Sequence, residues 1–223
     1  MKKIITVLVL SVMCLGNTIA QESSKDDFKK WQMRFRLVNV LPIESAEIGT
    51  IGGDVAISNQ FVPELDFTYF LTKNISLELI LATTKHDVNT VASSLVAIGG
   101  AANADVDLGS VWLLPPTLTV QYHFDVEKVR PYVGAGLNYT IFYNEKAGNT
   151  VKNVSYDNAV GVAFQGGFDY DLNDTWFLNV DAKYILLNTN VTVDASNLST
   201  GLSIPAKVDI NPLLIGVGFG MRF

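Results

Sequence analysis

Leu213-Leu214-Ile215-Gly216-Val217-Gly218-Phe219-Gly220-Met221-Arg222-Phe223 closes the chain with a period of two. Leu213, Ile215, Val217, Phe219, Met221 and Phe223 fall on one face, and Leu214, Gly216, Gly218, Gly220 and Arg222 on the other. A sheet that buries one face turns polar side chains to water on the second. Here the second face is mostly glycine with one arginine. The glycines suit a crowded barrel interior, and the large apolar side chains suit lipid.

Seven further segments alternate in the same way: Trp31 to Val38, Glu64 to Leu71, Ile75 to Ala82, Thr117 to Phe124, Tyr132 to Ile141, Val160 to Tyr170 and Trp176 to Ile185. Only Phe177 and Ile185 break the polar face of the last of these. Eight segments of about ten residues match the length of tilted strands crossing an outer membrane. The connections alternate as well. Residues 72–74, 125–129 and 171–175 are short links, whereas 42–60, 85–112, 144–157 and 190–206 are long. The expected fold is therefore all-β: an eight-stranded antiparallel up-and-down transmembrane β-barrel, with long loops outside the cell and both termini periplasmic. Trp31, Tyr122, Phe124, Tyr170, Trp176 and Phe223 gather toward the short-turn end, where an aromatic girdle meets headgroups.

The first twenty residues read as an export signal. Lys2 and Lys3 precede an apolar stretch from Ile4 to Leu15, and Thr18-Ile19-Ala20 resembles a cleavage motif. About 12 apolar residues are too few for a membrane helix. Residues 21–223 then form a single barrel domain, and loss of Lys2 and Lys3 takes the net charge from −6 to −8. So acidic a chain has no general attraction to nucleic acid. Its one cysteine, Cys14, leaves with the signal, taking disulfide and thiolate chemistry with it.

Arg34, Arg36, Asp66, Glu78, Asp169, Asp181, Lys183 and Arg222 all fall on the expected inner face. Charges there must be paired or hydrated, which predicts a polar network filling a narrow interior, or a plug beneath a small ligand pocket. Of the two histidines, His123 points inward near the short-turn end and His86 lies at the opposite end of its strand. Neither stands beside a serine in a hydrolase motif, and Asp105 with Asp107 falls short of a calcium loop. The chain reads as neither an enzyme nor a cofactor or metal carrier. The second long link carries an apolar excursion, Val91 to Ala104, and Leu95, Val96 and Ile98 are its candidates for a hydrophobic entrance.

Four stretches make the chain resemble the outer membrane protein W family of Gram-negative bacteria: Leu113 to Leu118, LLPPTL; Arg130 to Thr140, RPYVGAGLNYT; Asn74 to Leu79, NISLEL; and the terminal Gly218 to Phe223, GFGMRF. The resemblance implies an eight-stranded barrel that takes up small hydrophobic molecules through an apolar outward pocket, with lateral release into the membrane. It also implies recognition of the terminal aromatic by barrel assembly machinery and a setting of outer-membrane lipids and lipopolysaccharide. The expected form is monomeric. The competing expectation is a structural or surface-interaction barrel without transport activity.

Overall fold

The computed structural model describes residues 28–96 and 100–223. The expected signal peptide and Ile98 lie outside the described residues. Among the described residues, fifteen β segments make up eight long antiparallel staves. In chain order these are β1 (Trp31–Leu41) with β2 (Ser45–Ile48), β3 (Asp54–Ile57) with β4 (Gln60–Phe70), and β5 (Ile75–Ala82) with β6 (Thr84–Ser93). Next come β7 (Ala104–Leu114) with β8 (Thr117–His123) and the uninterrupted β9 (Val129–Ala147). The last three are β10 (Asn153–Tyr156) with β11 (Ala159–Asp171), β12 (Trp176–Leu186) with β13 (Asn188–Asp194), and β14 (Ser203–Asp209) with β15 (Leu213–Arg222).

Eight of these segments close a ring in the order β1, β4, β5, β8, β9, β11, β12, β15 and back to β1. The closing ladder runs from Gln32 opposite Arg222 to Leu41 opposite Leu213, so the terminal strand whose alternation decided the fold is the one that abolishes the sheet's edges. Its glycines are required by crowding. A Cβ on Gly218 would collide with the Phe35 carbonyl, and one on Gly220 with the Phe177 ring.

Outward side chains are large and bare: Val160 is 68% exposed, Leu137 63% and Val217 56%. An apolar surface this extensive is tolerated only against lipid. At one rim, Trp31, Tyr122, Phe124, Tyr170, Trp176 and Phe223 are all exposed, as an interfacial girdle requires. The turns at that rim are tied locally. Asn173 Oδ1 accepts the Thr175 and Trp176 amides at 2.9 Å each, and Thr72 Oγ1 accepts the Ile75 amide at 3.0 Å.

The four long links are not predominantly loops. Most of each continues the strands beyond the barrel as β2 and β3, β6 and β7, the end of β9 with β10, and β13 and β14; β6–β7 and β13–β14 pair as hairpins, while the two halves of the other links part to different partners. They form two separate walls. One consists of β3, β6, β7 and the far half of β9; the other runs β10, β13, β14, β2. Along the two seams, backbone amides that lack a ladder partner are capped by side chains. Phe142 N–H donates to Asn158 Oδ1 (3.1 Å) and Ile57 N–H to Glu44 Oε1 (2.9 Å). These two amides find acceptors although the walls do not join into one sheet.

Candidate functional site

The barrel interior changes character with height. Near the short-turn end it is packed with ions. Arg34 Nη1 meets Glu78 Oε1 at 2.6 Å, and Nη2 meets Asp169 Oδ2 at 3.3 Å. Arg36 reaches Asp66 Oδ2 at 2.7 Å, Glu64 Oε1 at 2.9 Å and Asp181 Oδ1 at 3.4 Å. Lys183 Nζ lies 2.9 Å from Glu64 Oε1 and 3.3 Å from Asp181 Oδ1, while Arg222 bridges Asp169 and Asp171. All eight charges singled out from the sequence thus enter one network, and Glu64 and Asp171 join them.

Neutral groups complete the plug. Gln165 Nε2 donates to Glu78 Oε2 (2.8 Å) and Asp181 Oδ2 (2.9 Å), and the Tyr132 hydroxyl donates to Asp181 Oδ2 at 2.8 Å. Phe177, apparently misplaced on a polar face, is fully buried with the Arg222 guanidinium 4.3 Å above its ring centroid. Both arginines at the centre of the network have no side-chain exposure. Multiple opposite charges and hydrogen bonds are what make such burial tolerable.

Above the plug the inner face turns apolar. Val40, Val62, Ile80 and Ile185 line a cavity of about 120 Å³ that continues between the two walls. Val111, Leu113, Val191 and Ile204 are among the wall residues that enclose it. Its volume is comparable with the ~150 Å³ apolar cavity known to hold benzene. Glu64 and Lys183 form part of its floor, where cavity meets plug. The lining therefore combines a continuous apolar wall with a few polar groups at one end, the usual composition of a small-molecule site.

His86 also lines the cavity, from β6. Its neighbours Lys85 and Asp87 are exposed, which puts this level beyond the hydrocarbon. Nδ1 stands 2.6 Å from the Ser58 carbonyl oxygen, which only accepts; the neutral ring therefore carries its proton on Nδ1 and accepts from Thr84 Oγ1 at Nε2 (3.1 Å). Burial pulls the His86 pKa below 6.5, outweighing the Ser58 carbonyl and the carboxylates of Asp87 and Glu44. Because the unfolded state binds this proton more readily, the stabilising contribution is complete above pH 6.5 and is lost as pH falls through that value toward the folded pKa. An NMR titration is expected to place the His86 midpoint below 6.5, with β3 and β6 amides losing exchange protection on acidification before the barrel does. A midpoint at or above that value would contradict this assignment.

The expected entrance residues separate. Leu95 lines the cavity and packs against its apolar wall. Val96 is 59% exposed and does not line it. His123 is buried at the short-turn end, its Nε2 3.1 Å from Ser76 Oγ and 3.0 Å from Gln121 Oε1. Glu64 carried a sequence signal, since it stands two residues before Asp66 on the same strand face. The apolar lining residues carried none that separates them from lipid-facing positions.

A family model described as the OmpW family matches residues 29–223. The chain is 43% identical over 206 residues to the uncharacterized outer-membrane protein y4mB of Sinorhizobium fredii, covering 92% of this chain and 84% of that one. It is 34% identical over 200 residues to outer membrane protein W of Vibrio cholerae, covering 86% and 87% of the two chains. The crystal structure of the outer membrane protein OprG from Pseudomonas aeruginosa superposes with a TM-score of 0.76 at 25% identity, over 87% of this chain and 96% of that one.

Proposed function

The chain belongs to the OmpW family and to the bacterial outer membrane, and from that premise we propose that it carries small hydrophobic molecules across the outer, polysaccharide-coated surface. One observation carries the reading: an apolar cavity of about 120 Å³ opens away from the short-turn end and is closed below by an ionic plug. For an apolar solute the barrier is the hydrated, charged lipopolysaccharide layer, not the hydrocarbon beneath it. Each 100 Å² of solute surface moved from water into the cavity gains roughly 2.5 kcal/mol. The plug then denies the solute a path down the barrel axis, so its exit is sideways.

The wall offers a place for that exit. The ladder between β5 and β8 stops at Ile80 opposite Thr117, and pairing resumes between β6 and β7 at Thr84 opposite Leu113. Between them Pro115 and Pro116 have no amide to donate. Thr83 bridges the gap with its side chain, donating to the Leu113 carbonyl at 3.1 Å. Ala82, Pro115 and Thr117 line the cavity at this level, so the interruption lies between solute and lipid. No catalytic step is involved, and no cofactor is needed for downhill transfer.

Leu95 and Val96 test the entrance separately. In membranes bearing lipopolysaccharide, Leu95→Ser is expected to slow transfer of an apolar probe about threefold to tenfold, because a side chain that packs in the cavity wall becomes polar. Val96→Ser is expected to leave the rate within twofold, since its side chain is already in water. Equal effects of both substitutions at equal amounts of folded protein would contradict this entrance.

A further inference from the structure

We infer that the cavity favours an apolar molecule bearing a hydroxyl group, held at the floor by Glu64 and Lys183. The inference rests on the cavity being a solute site, as proposed above, and adds the chemical class of its occupant.

Glu64 and Lys183 line the cavity, and each has a side chain only 2% exposed. Glu64 spends one oxygen twice: Oε1 faces both Lys183 Nζ and Arg36 Nε, each at 2.9 Å. Among the described residues no donor is hydrogen-bonded to Glu64 Oε2. Lys183 donates one N–H to Glu64 Oε1, and its Nζ stands 3.3 Å from Asp181 Oδ1 as an ion pair. An ammonium has three N–H groups, so one remains. The floor thus presents an acceptor and a donor side by side, beneath walls of valine, leucine and isoleucine.

The nearby hydroxyls do not fill these valences. Thr84 is engaged with His86 at 3.1 Å, and Thr140 donates to Asn138 Oδ1 at 2.7 Å. An uncommitted carboxylate oxygen in an apolar cup is costly, and an occupant is selected by how well it relieves that cost. A hydrocarbon leaves it unrelieved. A carboxylate meets like charge at Glu64, and an ammonium meets it at Lys183. An ether accepts from Lys183 but has nothing to give Glu64. A hydroxyl does both, donating to Oε2 and accepting from Nζ, while its hydrocarbon body occupies the apolar space above.

The test compares n-octanol, methyl n-octyl ether and n-octane with the full mature protein in lipid nanodiscs. Binding is followed by saturation-transfer NMR, and each value is corrected for the probe's partition into protein-free discs. The alcohol is expected to bind about tenfold more tightly than the ether, the size of one hydrogen bond to a charged acceptor. Glu64→Gln is expected to bring the alcohol-to-ether ratio close to one. Where that variant fails to fold, the wild-type series alone decides. Equal binding of the three probes, or preference for n-octane, would overturn the hydroxyl selection while leaving a hydrophobic solute site standing. Saturable binding of none of them would overturn the selection and the solute site together.

Discussion

Replacing Arg36 with methionine is expected to lower the unfolding free energy of the barrel by about 3–5 kcal/mol, the scale of breaking a buried ion pair from one side. Arg36 has no side-chain exposure and lies within ion-pair distance of Glu64, Asp66, Glu78 and Asp181. Methionine fills much of the same space but strands those carboxylates beside too few cations. Water cannot take over, because Arg36 and its four carboxylate partners are at most 2% exposed. Reversible urea unfolding in lipid vesicles, followed by tryptophan fluorescence, measures the loss. Lys85→Met provides the contrast: its partner Asp87 is 3.8 Å away and both are largely exposed, so the change is expected to stay below about 1 kcal/mol. A comparable small loss for Arg36 would show that the plug contributes little to stability.

The second large effect is on transfer. Val111 is buried in the wall on β7, with its side chain lining the cavity. Val111→Trp directs an indole into a space of about 120 Å³ without touching the plug or the closing ladder. Transfer of an apolar probe is expected to fall at least tenfold, while overpacking is expected to cost about 1–3 kcal/mol. The barrel should still show the shifted gel mobility of a folded form. Unchanged transfer by folded Val111→Trp protein would place the solute's route elsewhere.

Period two made the barrel legible because lipid and plug impose opposite chemistry on alternate residues. On β12, Trp176, Leu178 and Val180 face outward while Asn179, Asp181 and Lys183 face the plug. One strand later the sign reverses. On β13, Val191 and Val193 point into the cavity and Asn190 and Thr192 face out. The surroundings there are water outside and apolar space within, so the alternation persists with its phase exchanged. A reading that fixed one sign for the whole chain treated these segments as long links.

The cavity was hidden for a related reason. Val38, Val40, Val62, Ile80 and Ile185 face inward above the plug, where apolar side chains are as suitable as they are against lipid. Polarity then no longer distinguishes the faces, and the lining becomes visible only once backbone register is known. The charged residues escaped this ambiguity, because carboxylates and guanidinium groups cannot face hydrocarbon. Phe177 needed the register too: its place beneath Arg222 depends on Gly220 across the β12–β15 ladder.

The most direct measurement places the folded protein in asymmetric vesicles whose outer leaflet is lipopolysaccharide and follows entry of an apolar probe and a hydrophilic probe of similar size. With an apolar cavity above a closed ionic plug, the protein should accelerate entry of the apolar probe at least tenfold over protein-free vesicles and leave the hydrophilic probe unchanged. Failure to accelerate any of a range of apolar probes would contradict hydrophobic transport and favour a surface-interaction barrel; equal acceleration of both classes would contradict the closed plug.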